Sequence, residues 1–146
     1  MILTVAEAGQ IADAVLDWGR QEKSGALTVA VLDAGGHPVV MKRDDGSEFL
    51  RVDVAIGKAW GALGMGVPSR LLAEKPVHFL TALAAASGGR VVPVPGGVLV
   101  RRDGAVIGAV GVSGDSSEVD EAGAVHAIGA AGLEADYGQN EAWLRP

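Results

Sequence analysis

The amino-acid sequence predicts an α/β protein of the α+β type, in which helices cover both faces of one antiparallel sheet. Segments of helical period alternate with short runs of β-branched residues. Tight glycine-containing turns join pairs of these runs, and such short turns link only antiparallel neighbours. The near-continuous apolar runs at 27–32 and 105–112 suit strands that are buried on both faces. We therefore predict an α-β-α sandwich with a five-stranded antiparallel sheet, as a single domain over residues 1–146.

The first half of the chain is predicted to form a helix, a β-hairpin and a second helix. Thr4 and Glu7 make a capping-box signature before a helix over Val5–Arg20. The segments 27–33 and 38–43 are separated by two turn glycines, which predicts a pair of strands. One helical stripe then contains the apolar residues Val52, Ala55, Ile56, Ala59, Trp60 and Leu63. Trp60 is most typical of core or subunit packing, and it can also line an apolar pocket.

In the second half, the pattern predicts a short helix over residues 78–87 and then a change to extended structure. Asp103-Gly104 lies between two apolar runs, which is a strong hairpin signal. The last helix is predicted over 119–132, and residues 133–146 are expected to form a C-terminal tail around Trp143. Three strands are predicted in this half: Val91–Val94, Val98–Arg102 and Ala105–Val112.

Composition excludes several classes of protein. Hydrophobic residues make up 49% of the sequence and charged residues 21%, which is unlike a disordered chain. The formal net charge of −6 opposes binding to nucleic acid, which depends on clustered lysine and arginine. The chain has no cysteine and no apolar stretch of membrane-spanning length, so we expect a cytoplasmic protein with no membrane partner.

Several short motifs in order resemble one known family over nearly the whole chain. They are AVLDAGGHPVVMKRDDG, DVAIGKAW, PGGVLVRRDGAVIGAVGVSGD and DEAGAVHAIGAAGL. Together they are similar to the GlcG/HbpS family, which is also found as the C-terminal domain of some corrinoid adenosyltransferases. The resemblance implies a profilin-like sandwich, a homo-oligomer such as a tetramer or octamer, and heme or a related tetrapyrrole as a possible cofactor.

Histidine is the side chain best suited to ligate heme iron or to move a proton near neutral pH. His37 lies at the first hairpin turn, His78 at the start of a predicted helix, and His126 on the last helix beside small residues. We take His37 and His126 as candidate ligand-binding residues. No two histidines have the spacing of a metal site on one helical face, so no structural metal is predicted.

Charged residues near the hairpins complete the candidate set. Arg43 and Lys58 are candidates for binding a carboxylate or propionate, Arg43 by a two-pronged contact. Asp45 follows the first hairpin, and Glu121 opens the last helix, where a carboxylate also stabilises the helix N-terminus. Each has an alternative interpretation as an exposed ion pair or a capping group.

The glycines of the last hairpin do not form a dinucleotide loop. Gly108, Gly111 and Gly114 have the spacing GxxGxxG inside an apolar run, whereas that loop needs GxGxxG between a strand and a helix. Glycine inside a strand is more typical of a bulge or of close backbone packing. Ser113 lies in GVSGD, which is not the GxSxG of a hydrolase nucleophile.

Three functions remain open at this point. The first is a binding module that holds heme or a related flat apolar anion in a cleft or at a subunit interface. The second is a small catabolic enzyme, an isomerase, hydratase or lyase, in which His37, Asp45, Glu121 or His126 acts on an organic acid. The third is a structural or regulatory interaction protein. The sequence identifies no catalytic residue for the enzyme.

Overall fold

The computed structural model describes residues 2–139. Helices and strands follow one another along these residues as α1 (Val5–Gln21), β1 (Thr28–Asp33), β2 (Pro38–Arg43), α2 (Leu50–Met65), α3 (Ser69–Leu72), α4 (Val77–Ala86), β3 (Gly97–Arg102), β4 (Ala105–Ser113), α5 (Ser117–Ala130) and β5 (Glu134–Asp136). The predicted capping box is present, because the Thr4 side chain accepts from Glu7 N and the Glu7 carboxylate accepts from Thr4 N.

The five strands form one sheet in the order β2-β1-β4-β3-β5, and every neighbouring pair is antiparallel. Alternate residues of β1 point to opposite faces. Val29 and Val31 belong to the core under α1 and α5, whereas Leu32 belongs to the core under α2. The predicted α+β sandwich with a five-stranded antiparallel sheet is therefore confirmed.

Glycines allow α2 to lie very close to the sheet. A Cβ atom placed on Gly111 of β4 would lie 1.9 Å from Ala55 O of α2, and one on Gly97 of β3 would lie 2.3 Å from Lys58 O. Such distances leave no room for a side chain. The interpretation of these strand glycines as sites of close backbone packing is thus confirmed.

The predicted strand at Val91–Val94 is wrong. This segment crosses the outer side of α2 instead of joining the sheet, and Val92 N donates to Gly57 O at 3.3 Å. Pro93 and Pro95 have no N–H to donate to a ladder, which disfavours pairing despite the β-branched residues around them.

The fifth strand lies in the segment that was expected to be a tail. Glu134–Asp136 pairs with β3, with Leu99 opposite Asp136. Arg101 Nε donates to Asp136 Oδ2 at 2.9 Å, and this ion pair stabilises the pairing. The three residues Glu-Ala-Asp include no β-branched or aromatic side chain, so local sequence did not indicate a strand. Trp143 lies outside the described residues.

Candidate functional site

A cleft of about 450 Å³ lies between the outer side of α2 and the segment that connects α4 to β3. Its walls are largely apolar, with one carboxylate and one guanidinium. We call it the Trp60 cleft, and its lining residues are Leu50, Asp53, Val54, Ile56, Gly57, Trp60, Gly89, Arg90 and Val92. Its volume is within the range of about 300–1,000 Å³ that is usual for small-molecule sites.

Two glycines of α2 position one wall of the Trp60 cleft. A Cβ atom on Gly57 would lie 2.5 Å from Val92 Cγ2 and 2.6 Å from Arg90 O. One on Gly61 would lie 2.8 Å from Val91 Cγ1. Gly57 and Gly61 are four residues apart and so lie on one side of the helix. Because neither residue has a side chain, they form a notch on the helix surface in which residues 90–92 pack.

This notch brings Arg90 over the indole ring of Trp60. The guanidinium carbon lies 3.8 Å from the ring centroid, which is a cation–π contact. Behind the ring, the first hairpin turn approaches closely, since a Cβ on Gly36 would lie 3.1 Å from Trp60 Cδ1. Gly36 also has φ of +83°, a left-handed conformation that favours glycine. Trp60 is thus held from two sides.

Trp60 also borders two smaller cavities. One, of about 210 Å³, lies towards α4 and is lined by Met65, Leu83 and Ala86 among others. The other, of about 240 Å³, lies towards the hairpin turn and includes Gly35 and Gly36. The ring is therefore the centre of a larger, mainly apolar surface.

Lys58 lies inside the protein. Its side chain is 2% exposed, and its ammonium donates to Val112 O at 2.8 Å and to Asp120 Oδ2 at 3.1 Å. Burial lowers the pKa of Lys58, and burial likewise raises the pKa of Asp120, with the ion pair opposing both shifts. A Cβ on Gly96 would lie 2.8 Å from Lys58 Nζ, so Gly96 makes room for this ammonium.

Glu121 is also held within the chain. Its carboxylate accepts from Arg70 Nε at 3.0 Å and from Arg70 Nη2 at 2.6 Å, a two-pronged pair. Only 8% of the Glu121 side chain is exposed. The pair joins α5 to the short helix α3, and the same carboxylate raises the pKa of Arg70 by hydrogen bonding.

The other four predicted site residues are exposed. His37 pairs with Asp33, whose Oδ1 is 3.3 Å from His37 Nδ1. Arg43 donates to Ser47 O at 3.0 Å. His126 lies beside Trp18, with ring centroids 6.4 Å apart. Asp45 follows β2 on the surface.

None of the six predicted site residues lines the Trp60 cleft itself, although the turn that carries His37 packs on Trp60. The sequence did indicate Trp60 as a residue that can line an apolar pocket. It gave no signal for Arg90, whose position depends on the notch at Gly57 and Gly61. Within residues 2–139 there is no cluster of three or more histidine and carboxylate side chains arranged to hold a metal ion.

The fold is an α-β-α sandwich with an open cleft on the outer side of α2, where Arg90 covers the Trp60 ring. The family model described as "Haem degrading protein HbpS-like" matches residues 3–129. The chain therefore belongs to the HbpS-like family, and the resemblance seen in its motifs is confirmed.

Known relatives agree with this assignment. An uncharacterized 15.0 kDa protein from the dhaT-dhaS intergenic region of Citrobacter freundii is 34% identical over 120 residues, which cover 81% of this chain and 84% of that protein. Corrinoid adenosyltransferase PduO of Salmonella typhimurium is 33% identical over 68% of this chain, but the match spans only 30% of PduO. The solved structure of a PduOC:heme complex is 29% identical, with a TM-score of 0.85 over 93% of this chain and 99% of that one.

None of the helices between residues 2 and 139 combines the length and the hydropathy that are needed to span a bilayer.

Proposed function

We propose that this protein binds heme, or a related tetrapyrrole, in the Trp60 cleft. The observation that carries the proposal is the Arg90 guanidinium over the Trp60 ring in an otherwise apolar cleft. Family membership and the likeness to a PduOC:heme complex support this choice of ligand.

The lining residues fit the two parts of such a ligand. Leu50, Val54 and Val92 offer apolar contact to a flat macrocycle, and the indole of Trp60 adds to this apolar wall. Arg90 offers a planar guanidinium, which suits the propionate groups. When bound, heme supplies an iron centre with redox and oxygen chemistry.

Among the predicted ligand-binding residues, we retain His37 as the candidate iron ligand. Its turn packs on Trp60 through Gly36, and its imidazole is 80% exposed. Lys58 and Glu121 are held in ion pairs inside the chain, for which we propose a structural role. Arg43, Asp45 and His126 are outside the lining of the cleft.

The alternative, an enzyme that acts on a small organic acid, has no specific observation in its favour. Of the proposed acid and base residues, His37 and Asp45 flank β2 and Glu121 and His126 both lie on α5, and none of the four lines the cleft. We therefore develop the binding function. A cytoplasmic location and assembly into a homo-oligomer remain predictions from the sequence and its resemblance.

A hemin titration tests the proposal. We expect saturable binding of one hemin per chain with a shifted Soret band. Arg90→Ala should weaken binding by about tenfold, which corresponds to loss of one charge-assisted contact of roughly 1.4 kcal/mol. Trp60→Ala should weaken it more, because part of the apolar wall and the ring that holds Arg90 are both lost.

Arg20→Ala is the matched control, since Arg20 is an exposed arginine that pairs with Asp44 on α1's side of the molecule. It should leave hemin affinity unchanged. The absence of a Soret shift at low micromolar hemin, or an equal loss in the Arg20 and Arg90 variants, would contradict the proposal. His37→Ala should change the spectrum of bound hemin if His37 ligates the iron, and an unchanged spectrum would remove that assignment.

A further inference from the structure

The carboxylate in the Trp60 cleft has no partner within the described part of the chain. Asp53 is an exposed residue of α2 and is one of the residues that line the cleft. Within residues 2–139 its side chain forms no hydrogen bond and no ion pair. This carboxylate is therefore open to whatever the cleft binds.

The guanidinium of the cleft is also without a hydrogen-bond acceptor. Arg90 contacts the Trp60 ring, but its guanidinium donates no hydrogen bond to residues 2–139. The other arginines of these residues all donate to a carboxylate or to a backbone carbonyl, namely Arg20, Arg43, Arg51, Arg70, Arg101 and Arg102. The cleft thus holds an arginine without an acceptor and a carboxylate without a donor, and these two side chains do not pair with each other.

Asp53 and Arg90 are separated along the length of the cleft. Asp53 precedes Trp60 by two helical turns on α2, so both residues lie on the same side of the helix. Two turns correspond to about 10 Å along the helix axis. Arg90 lies over the Trp60 ring, at 3.8 Å from its centroid. The other lining residues are apolar or glycine, so the cleft presents a cation towards one end and an anion towards the other.

This arrangement of charges distinguishes tetrapyrroles by the position of their carboxylates. Heme carries both propionates on one edge of the ring, and the opposite edge carries uncharged vinyl groups. When the propionates are at Arg90, the uncharged edge lies towards Asp53. A ring with propionates on both edges would instead bring like charges together at Asp53. Such like-charge contacts are a common means by which a site rejects the wrong partner.

Asp53 also has a structural interpretation, which a measurement can separate from a role in ligand choice. It lies in the first turn of α2, where a carboxylate stabilises the helix N-terminus. That effect depends on the position along the helix, whichever side of the helix carries the carboxylate. A purely structural role therefore changes the stability of the protein and leaves the choice between two ligands unaltered.

We propose that Asp53 is a specificity-determining residue of the Trp60 cleft, which accepts a tetrapyrrole with carboxylates on one edge and excludes one with carboxylates on both edges. Asp53 acts here on the ligand of the proposed function, so its role rests on that function. The same carboxylate orients the ring, with the propionates at Arg90 and the uncharged edge at Asp53.

Soret titrations with hemin and with iron(III) coproporphyrin III test this role of Asp53. The two probes share the iron and the ring, but in the second probe two further propionates replace the vinyl groups. Asp53→Asn should raise the affinity for iron coproporphyrin by about fivefold or more and change that for hemin by less than about twofold, because only the former brings carboxylates to Asp53. Asp53→Glu keeps the charge and should keep the wild-type preference for hemin.

Asp103→Asn is the matched control, because Asp103 is exposed at the turn between β3 and β4 and does not line the cleft. It removes the same charge and should leave the ratio of the two affinities unaltered.

Two kinds of failure are distinguishable. Equal effects of Asp53→Asn on both probes, or the same change of ratio in Asp103→Asn, would overturn the role of Asp53 while hemin binding stands. A lower thermal midpoint of Asp53→Asn with an unchanged ratio would assign Asp53 to helix stability alone and would also overturn it. The absence of a Soret shift when hemin is added to the wild-type chain would contradict the proposed function and the role of Asp53 together.

Discussion

Lys58 and Asp120 connect two helices that lie on opposite faces of the sheet. Lys58 belongs to α2 and Asp120 to α5, and their side chains are 2% and 1% exposed. Asp120 Oδ1 also accepts from Asp115 N, so the carboxylate has a partner on each oxygen. A buried pair of this kind is costly to break, because removal of one member leaves the other charged and without compensation.

Removal of the lysine alone should therefore be strongly destabilising. Lys58→Met leaves Asp120 buried without its cation, and we expect the free energy of unfolding to fall by about 3–5 kcal/mol. Adding Asp120→Asn removes the buried carboxylate charge that no longer has a cation beside it, so the double variant should be more stable than Lys58→Met alone. Urea denaturation of the three proteins measures both effects.

Lys42→Met is the control, because it removes a lysine from an exposed ion pair instead of a buried one. Lys42 pairs with Asp13, and both side chains are about half exposed. Exposed pairs contribute little, so stability should change by less than about 1 kcal/mol. Equal destabilisation of the Lys42 and Lys58 variants, or a double variant no more stable than Lys58→Met, would contradict this role of the ion pair.

At the scale of elements, the notch on α2 determines where Arg90 lies. Gly57→Leu would place a side chain where Val92 Cγ2 and Arg90 O now lie. We expect the 90–92 segment to be displaced, stability to fall by about 1–3 kcal/mol from overpacking, and hemin affinity to fall with it. Thermal unfolding and the hemin titration together measure this.

Gly64→Ala is the control on the same helix. A Cβ at Gly64 would meet no atom within 4 Å, and Gly64 lies inside the helix. The change should raise stability by roughly 0.5–1 kcal/mol through helix propensity and leave hemin affinity unchanged. A loss of hemin affinity in this variant equal to that in Gly57→Leu would show that the notch is not what positions Arg90.

Elements with local signals were predictable from the sequence, and those that depend on distant contacts were not. The two hairpins and the first helix carry their own turn and capping residues, and the structure has them as expected. The segment at Val91–Val94 looked like a strand because of its valines, but its prolines and the notch on α2 place it elsewhere. β5 is held by pairing with β3 across more than thirty residues, for which no local pattern exists.

The same difference between local signals and distant contacts applies to the residues of the candidate site. Trp60 was predictable as a pocket residue from its place on an apolar helix, whereas the position of Arg90 follows from two glycines about thirty residues earlier. The burial of Lys58 was not predictable, because its partner Asp120 is 62 residues away in the sequence and carries no local signal. Charge alone does not distinguish a surface cation from a buried one.

For the molecule as a whole, several carboxylates favour folding at neutral pH. The pKa of Asp115 is lowered by the backbone N–H of Gly25, and that of Asp44 by the Arg20 guanidinium. The pKa values of Glu7 and Asp33 are lowered mainly by backbone N–H groups of Thr4 and His37. A pKa that is lower in the folded state means that the unfolded state binds more protons on acidification, so stability decreases.

We therefore expect the thermal midpoint to fall between about pH 4 and pH 2, as these groups are protonated. Asp115→Asn should lower the midpoint at neutral pH and reduce its fall in acid, because residue 115 no longer titrates. Circular dichroism melts across this range provide the measurement. An identical acid dependence in wild type and variant would exclude Asp115 as a contributor.

The close seating of α2 on the sheet has a consequence for how a ligand enters. With Gly111 and Gly97 against the α2 backbone, the helix and the strands behave as one rigid body, and neither can slide past the other. The opposite wall of the Trp60 cleft belongs to the segment that connects α4 to β3. Gly88 and Gly89 at the start of this segment both have left-handed φ values, and Pro93 and Pro95 restrict the backbone at its end. The entrance of the cleft therefore widens only by movement of this segment about Gly88 and Gly89, and Arg90 moves with it.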